Sequence, residues 1–189
     1  MCKRYQMFLS VFVLSALLLS GCAKGGGDRP AESGSGSEAV DASEPSGPSV
    51  AFEGTDLEGN AVSSDIFSQS KLTMVNVWAT YCNPCLREMP ALGELAADYD
   101  GSELQIIGIV SDVLEGEDQS TAESLVQQTK ADYPHLLLNE SIYYGLLMDV
   151  SAVPTTFFLD GDGVVLDTVV GAMEKSAWED KINGLLEGL

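Results

Sequence analysis

The chain has 189 residues, 45% of them hydrophobic, and carries 29 acidic side chains against nine basic ones, a formal net charge of −20. So large an acidic surplus repels phosphates and anionic headgroups, which argues against nucleic-acid binding and against docking flat on an anionic leaflet. The surplus reads as a solvated coat that keeps a surface protein soluble, with attraction to a basic partner as the other reading.

Lys3 and Arg4 form a short positive head before an apolar run from Met7 to Leu19. That run is short for a permanent membrane span and reads as the core of a signal peptide over residues 1–21. It closes on Leu19-Ser20-Gly21-Cys22, which resembles a bacterial lipoprotein signal, with cleavage before Cys22 and lipid on its thiol. An ordinary secretory peptide with an incidental cysteine is the plainer alternative. Cleavage removes Cys2, Lys3 and Arg4, leaving seven basic residues against 29 acids and a net charge of −22. Residues 22–49, the lipidated cysteine and a Gly-, Ser-, Pro- and Glu-rich stretch, bury too little apolar surface to offset ordering and form a flexible tether. Residues 50–189 have the usual length of one domain.

Within that domain, Ala51–Thr55 and Asn60–Ser63 flank a turn-like "DLEG" and suggest a hairpin. Leu72–Trp78 is a β-branched run of the kind found in buried strands. The segment Cys82-Asn-Pro-Cys85 then opens a helix reaching about Tyr99, with Leu86, Met89, Leu92, Leu95 and Ala96 inward. Glu103–Val110 is the next strand, and Asp112–Asp118 is an acidic loop after it. Ser120-Thr-Ala-Glu123 reads as a capping box for a helix to about Lys130. A short strand over Leu136–Leu138 and a helix over Ile142–Met148 follow, the latter with Tyr143, Tyr144 and Met148 in the core. Thr155–Leu159 and Val164–Val170 are strands joined by the turn Asp160-Gly-Asp-Gly163. Ser176-Ala-Trp-Glu179 caps a last helix with Trp178, Ile182, Leu185, Leu186 and Leu189 in register. The order predicts an α/β three-layer sandwich with a central mixed sheet and an N-terminal β-hairpin.

After processing, Cys82 and Cys85 are the two unmodified thiols, in a compartment that permits disulfides. A cysteine in the first turn of a helix that follows a strand receives free N–H groups and the positive end of the macrodipole, which favour its thiolate. Cys85 lies one turn deeper on the same face and resolves a mixed disulfide at high effective concentration. Pro84 fits a first-turn position, where no N–H is needed. A purely structural disulfide would close too small a loop to stabilise much. Zinc needs four ligands, and the mature chain offers two free thiols and His135. A copper site from two thiolates and His135 is conceivable, although His135, after Tyr133-Pro134, reads better as a packed or surface residue.

The stretches "FEGTDLEGNAVSS", "VNVWATYCNPCLREMP", "DVSAVPTTFFLDGDGVV" and "GAMEKSAW" together resemble the TlpA/ResA type of thioredoxin-like proteins, membrane-tethered extracytoplasmic thiol–disulfide oxidoreductases. The resemblance covers roughly Phe52 to Leu189. It implies a thioredoxin fold in which Cys82 is the exposed attacking cysteine and Cys85 the buried resolving one. Pro154 takes the place of the cis-proline facing the dithiol, leaving the Val153 main chain to pair with a substrate strand. Pro90 matches a kinking proline in the active-site helix. Asn76 stands where cytoplasmic thioredoxin has a buried aspartate, and Trp78 belongs to the same surroundings. Glu88 matches an acidic residue of the subfamily, placed to exchange a proton with the dithiol; a solvated helix charge is its bland alternative. Arg87 faces water. The residue before the first cysteine is Tyr81 where the family usually has tryptophan.

These readings together describe a lipoprotein, anchored outside the cytoplasmic membrane through Cys22, that exchanges disulfides with exported proteins. By resemblance it is a reductant, with apocytochrome c maturation the family-typical task and an upstream membrane thiol as electron donor. The expected redox group is the Cys82–Cys85 pair with no cofactor and no metal, in a monomer. A disulfide-forming oxidant and a Cu(I) carrier are the alternatives. A peroxidase of the same fold requires a threonine three residues before its cysteine and a proline four before that. Here Thr80 is two before Cys82 and Asn76 occupies the proline place.

Overall fold

The computed structural model describes residues 47–189. The signal segment, Cys22 and nearly all of the tether lie outside the described residues.

Strands β1 (Glu53–Thr55) and β2 (Ala61–Ser63) pair antiparallel in the expected hairpin. Its turn is held by Asp56, whose Oδ1 accepts the amides of Glu58 and Asn60 at 2.9 and 2.8 Å. Gly59 supplies the left-handed residue at φ 84°. A 3-10 turn at Ser64–Gln69, which no periodicity announces, leads into β3 (Leu72–Trp78), buried along its whole length. Helix α1 (Asn83–Asp98), β4 (Leu104–Leu114), α2 (Ser120–Thr129) and β5 (His135–Leu138) follow. Next come a short α3 (Glu140–Ile142) running into a π-helical stretch at Tyr143–Leu147, then β6 (Thr155–Asp160), β7 (Val165–Val170) and α4 (Lys175–Leu186).

The five-stranded sheet has the order β5-β4-β3-β6-β7, with β3, β4 and β5 parallel and β6 and β7 antiparallel. Alternation along β3 splits the core in two. Val75 and Val77 pack with Phe52, Phe67, Ile142 and Leu147 from the hairpin and α3 side. Met74 and Trp78 face the opposite side, where Met89, Leu92 and Leu95 of α1, Ala122 of α2 and Trp178 and Ile182 of α4 close the layer. This is the predicted sandwich. It sets the N-terminus of α1 at the end of the central strand, in the middle of the molecule.

Several local expectations are corrected. Strand β4 runs four residues past Val110, so the first part of the acidic stretch is sheet and not loop. Ser120 does not cap α2: the chain turns at Gln119, which makes no side-chain cap bond, while Asp118 accepts the Ser120 amide at 3.0 Å. Ser176 does not cap α4, which begins a residue earlier after an extended Glu174. Tyr143, Tyr144 and Met148 are exposed, Tyr144 at 61%, and so is Leu189. The π-helical winding of this segment is poor at burying one face, because its side chains do not stack at the 3.6-residue spacing.

Candidate active site

At the end of β3 the chain leaves the sheet through Ala79, Thr80 and Tyr81 and enters α1. Asp112, on β4, clamps this exit. Its two carboxylate oxygens accept the Thr80 amide at 3.0 and 3.1 Å, and one of them accepts the Thr80 hydroxyl at 2.5 Å. Ser111 adds a hydroxyl bond to the Trp78 carbonyl at 2.9 Å. The Thr80 hydroxyl is therefore committed to Asp112 and not to a sulfur, as a peroxidatic threonine would need to be.

Cys82 occupies the N-cap of α1, one position before the first helical residue, and is joined to Cys85 by a disulfide with the two Cα atoms 5.3 Å apart. The Cys85 amide donates to Cys82 Sγ at 3.2 Å. Free N–H groups at a helix start favour the charged form of such a sulfur. Cys82 is 5% exposed and Cys85 0%, so the expectation of an exposed attacking cysteine is corrected in degree, because only a sliver of Cys82 meets solvent. The residue that does stand out beside it is Tyr81, 74% exposed. Pro84 sits in the first turn, exposed, where its missing N–H leaves nothing unpaired. Arg87 and Pro90 are also on the outer side.

Opposite the dithiol, the Val153–Pro154 peptide bond is cis, and Val153 packs against the cluster that holds both cysteines. The Pro154 carbonyl accepts the Gly171 amide at 2.8 Å, tying this loop to the end of β7. A groove of about 270 Å³ runs alongside, lined by Tyr81, Tyr143, Leu147, Val150 and Val153.

Glu88 lies three residues along α1 from Cys85 and is 3% exposed, which rules out a solvated helix charge. Its Oε1 accepts from Asn76 Nδ2 at 3.1 Å, and its Oε2 accepts the Met173 amide at 3.2 Å. Asn76 Nδ2 donates as well to the Thr156 hydroxyl at 3.0 Å. Burial raises the Glu88 pKa to about 7, while the bonds from Asn76 and Met173 and the nearby Trp178 indole pull in the opposite direction. A carboxyl group near neutrality and close to a thiol pair is a competent proton acceptor and donor.

Trp78 lies fully buried beneath the dithiol, and its Nε1–H donates to His135 Nδ1 at 3.1 Å. The His135 proton therefore resides on Nε2, which donates to the Ala131 carbonyl at 3.0 Å. Burial lowers the histidine pKa to about 4, keeping the ring neutral. With both nitrogens engaged inside the core, His135 is a packed residue and offers no lone pair to a copper ion shared with the cysteines.

Most predicted positions converge here: Asn76, Trp78, Tyr81, Cys82, Pro84, Cys85, Glu88, Val153 and Pro154 surround one helix terminus. Sequence reasoning missed Asp112, placed in a loop among other acids, and missed Thr156, Met173 and Trp178 as neighbours of Glu88. Each reaches the site from a segment far along the chain, and no spacing rule links them to it.

The profile of the AhpC/TSA family matches residues 46–168. The thiol:disulfide interchange protein DsbE of Escherichia coli K12 is 28% identical over 140 residues, covering 74% of this chain and 71% of that protein. The thiol-disulfide oxidoreductase ResA of Bacillus cereus is 30% identical over 129 residues, covering 68% and 70% respectively. Among solved structures, a putative thiol:disulfide interchange protein DsbE from Chlorobium tepidum superposes with a TM-score of 0.60 at 24% identity, over 72% of this chain and 93% of that one. A secreted Mycobacterium tuberculosis disulfide oxidoreductase gives 0.58 at 21% identity, over 70% and 95%. At these identities the structures speak for the thioredoxin-like fold.

Proposed function

The chain belongs to the AhpC/TSA family, and from that premise we propose that it is an extracytoplasmic thiol–disulfide oxidoreductase of the DsbE/ResA kind that reduces disulfides in exported proteins. One observation carries the reading. The cysteine pair sits at a helix N-terminus, with a sliver of Cys82 reaching solvent and Cys85 sealed, and a buried acid lies one turn behind. Cys82 attacks a substrate disulfide as thiolate, Cys85 resolves the mixed disulfide, and Glu88 handles the proton of the inner thiol. Val153 and Pro154 hold the substrate strand against the pair.

The reducing direction follows from electrostatics. An oxidant of this fold is strong because its thiolate is unusually stable, which favours the reduced form. Here a buried carboxyl one helical turn from Cys85 opposes a second negative charge, and it outweighs the rest of the acidic surplus, because charges farther than about 8 Å are largely screened at physiological salt. The potential should lie nearer the thioredoxin value of about −270 mV than the DsbA value of about −120 mV. Equilibration with glutathione tests this, and a value above roughly −180 mV would reverse the direction.

Tethering through lipid on Cys22, a membrane thiol donor upstream, apocytochrome c among the substrates, and action as a monomer without a cofactor complete the proposal. They rest on the leader-like segment and the family resemblance. Capture of partners on a Cys85→Ser variant in cells identifies both substrate and donor.

A further inference from the structure

Strands β3 and β4 stay in register from Leu72 opposite Leu104 to Trp78 opposite Val110, where β3 ends. Strand β4 continues to Leu114, and its pairing with β5 breaks register between Val110 and Leu114. Irregularities of this kind re-aim side chains and recur beside active sites. Here the affected residues include Ser111 and Asp112. Ser111 takes the Trp78 carbonyl, and Asp112 takes both the amide and the hydroxyl of Thr80. Side chains of β4 thus hold the departing chain past the point where backbone pairing stops.

The donors held by Asp112 belong to a turn that ends on Cys82. The Cys82 amide donates to the Ala79 carbonyl at 3.0 Å, closing four residues with Thr80 and Tyr81 in the middle. Ala79 is fully buried and Tyr81 stands out in solvent, so the tie at Thr80 lies at the boundary between core and surface. On the helix side, the Cys82 carbonyl accepts the Leu86 amide at 3.1 Å. Cys82 is therefore slung between the first turn of α1 and a turn that Asp112 fastens to β4. Asp112 is itself exposed, and its carboxylate offers acceptors to an N–H and an O–H at once through charge-assisted bonds.

In the oxidised protein the Cys82–Cys85 bond itself fixes where Cys82 lies. That constraint is gone in a mixed disulfide, where Cys82 carries the substrate and the backbone on its two sides must hold its sulfur. We propose that Asp112, acting through Thr80, is a positioning residue that keeps Cys82 Sγ within reach of Cys85 once the disulfide is open.

The inference rests on the disulfide-exchange reading above and concerns its second step. There Cys85, as a thiolate after giving its proton to Glu88, attacks Cys82 Sγ. The Cys82–Cys85 bond forms, the Cys82–substrate bond breaks, and the electron pair leaves on the substrate thiolate. The rate of such an internal attack depends steeply on placement, and a displacement of about 1 Å can cost about a hundredfold. The first step is different. Attack by Cys82 on an outside disulfide does not use the distance to Cys85, and the amide that supports its sulfur belongs to the helix. The clamp at Thr80 therefore acts on resolution and leaves the initial attack nearly as it is.

In the full chain carrying Cys2→Ser and Cys22→Ser, Cys82 and Cys85 are the remaining thiols. Reaction of the reduced protein with dithiobis(nitrobenzoate), followed by stopped-flow absorbance, then shows two releases of the aromatic thiol. The first reports attack by Cys82 and the second its displacement by Cys85. Asp112→Ala should slow the second release about tenfold and the first by less than about twofold. Asp112→Asn keeps one acceptor for Thr80 without the charge and should recover most of the loss. A merely structural role would lower the melting temperature without separating the two phases. A second release within about twofold of wild type in folded Asp112→Ala overturns the positioning role. An Asp112→Asn protein as slow as the alanine variant also overturns it, because the effect then belongs to charge. If Asp112→Ala does not fold, Thr80→Val takes its place: loss of the hydroxyl bond should slow the second release about threefold, and an unchanged rate overturns the role. A wild type without any second release would sink the disulfide-exchange reading itself, a result distinct from all of these.

Discussion

Asn76 Nδ2 and Glu88 Oε1 meet at 3.1 Å in a place where neither side chain sees solvent. The strand before the dithiol thus supplies a neutral amide to the helix after it, and the acid is carried on the helix. An amide can hold the carboxylate without adding a second charge, which two buried carboxylates could not do.

Glu88 makes stability depend on pH with a definite sign. Its pKa is raised from 4.5 to about 7 in the fold, so the folded state keeps a proton that the unfolded chain has released. Stability should therefore fall as pH rises from about 4.5 to about 7 and level off above, by on the order of 3 kcal/mol from this group. Urea unfolding of the oxidised protein at pH 5 and pH 8 measures the slope. Glu88→Gln should flatten it, and an unchanged slope in that variant would assign the effect elsewhere.

The same substitution should act on the thiols. Removing a carboxylate beside the pair lowers the cysteine pKa values, stabilises the reduced form and shifts the potential upward. Thiolate absorbance titration and glutathione equilibration of Glu88→Gln read the two effects together.

Cys82 and Cys85 differ in backbone support, since the Cys85 amide at the helix start donates to Cys82 Sγ, and only Cys82 keeps a trace of solvent contact. In reduced protein, Cys82 should alkylate much faster than Cys85. Cys82→Ser should abolish reduction of an insulin disulfide, while Cys85→Ser should accumulate mixed disulfides. Equal alkylation rates would contradict the helix-terminus argument.

Gly108 faces the His135 ring across β4 and β5, and a Cβ there would run into it. Gly108→Ala should destabilise the domain by about 1–3 kcal/mol through overpacking. Combined with His135→Ala, the loss should be less than the sum of the single losses, because the alanine methyl then enters the space left by the ring. Thermal melts of the cycle decide this; strict additivity would count against the contact.

Anchoring is tested at Cys22. The full-length protein should incorporate labelled palmitate and mature in a globomycin-sensitive manner, and Cys22→Ala should do neither. Lipid on the alanine variant would remove the anchor.

What the sequence alone determined was local in origin. A β-branched run ending in Trp78, a Cys-Asn-Pro-Cys start to a helix and the turn Asp160-Gly-Asp-Gly163 each signal through neighbouring residues, so the sandwich and the dithiol were legible. Burial was less so. Tyr143, Tyr144 and Met148 look like core by composition but lie outside, because a π-helical stretch sets their direction. Ser120 and Ser176 carry capping chemistry, yet the caps fall earlier than that chemistry implies, at Gln119 one residue before and at Glu174 two residues before. Only the tertiary structure decided that Glu88 is a buried acid. Its environment is assembled from Asn76 on β3, Met173 after β7 and Trp178 on α4, and desolvation depends on what all three exclude. The same holds for His135, a candidate ligand in the sequence and a core residue in the fold, because Trp78, 57 residues earlier, donates to its free nitrogen.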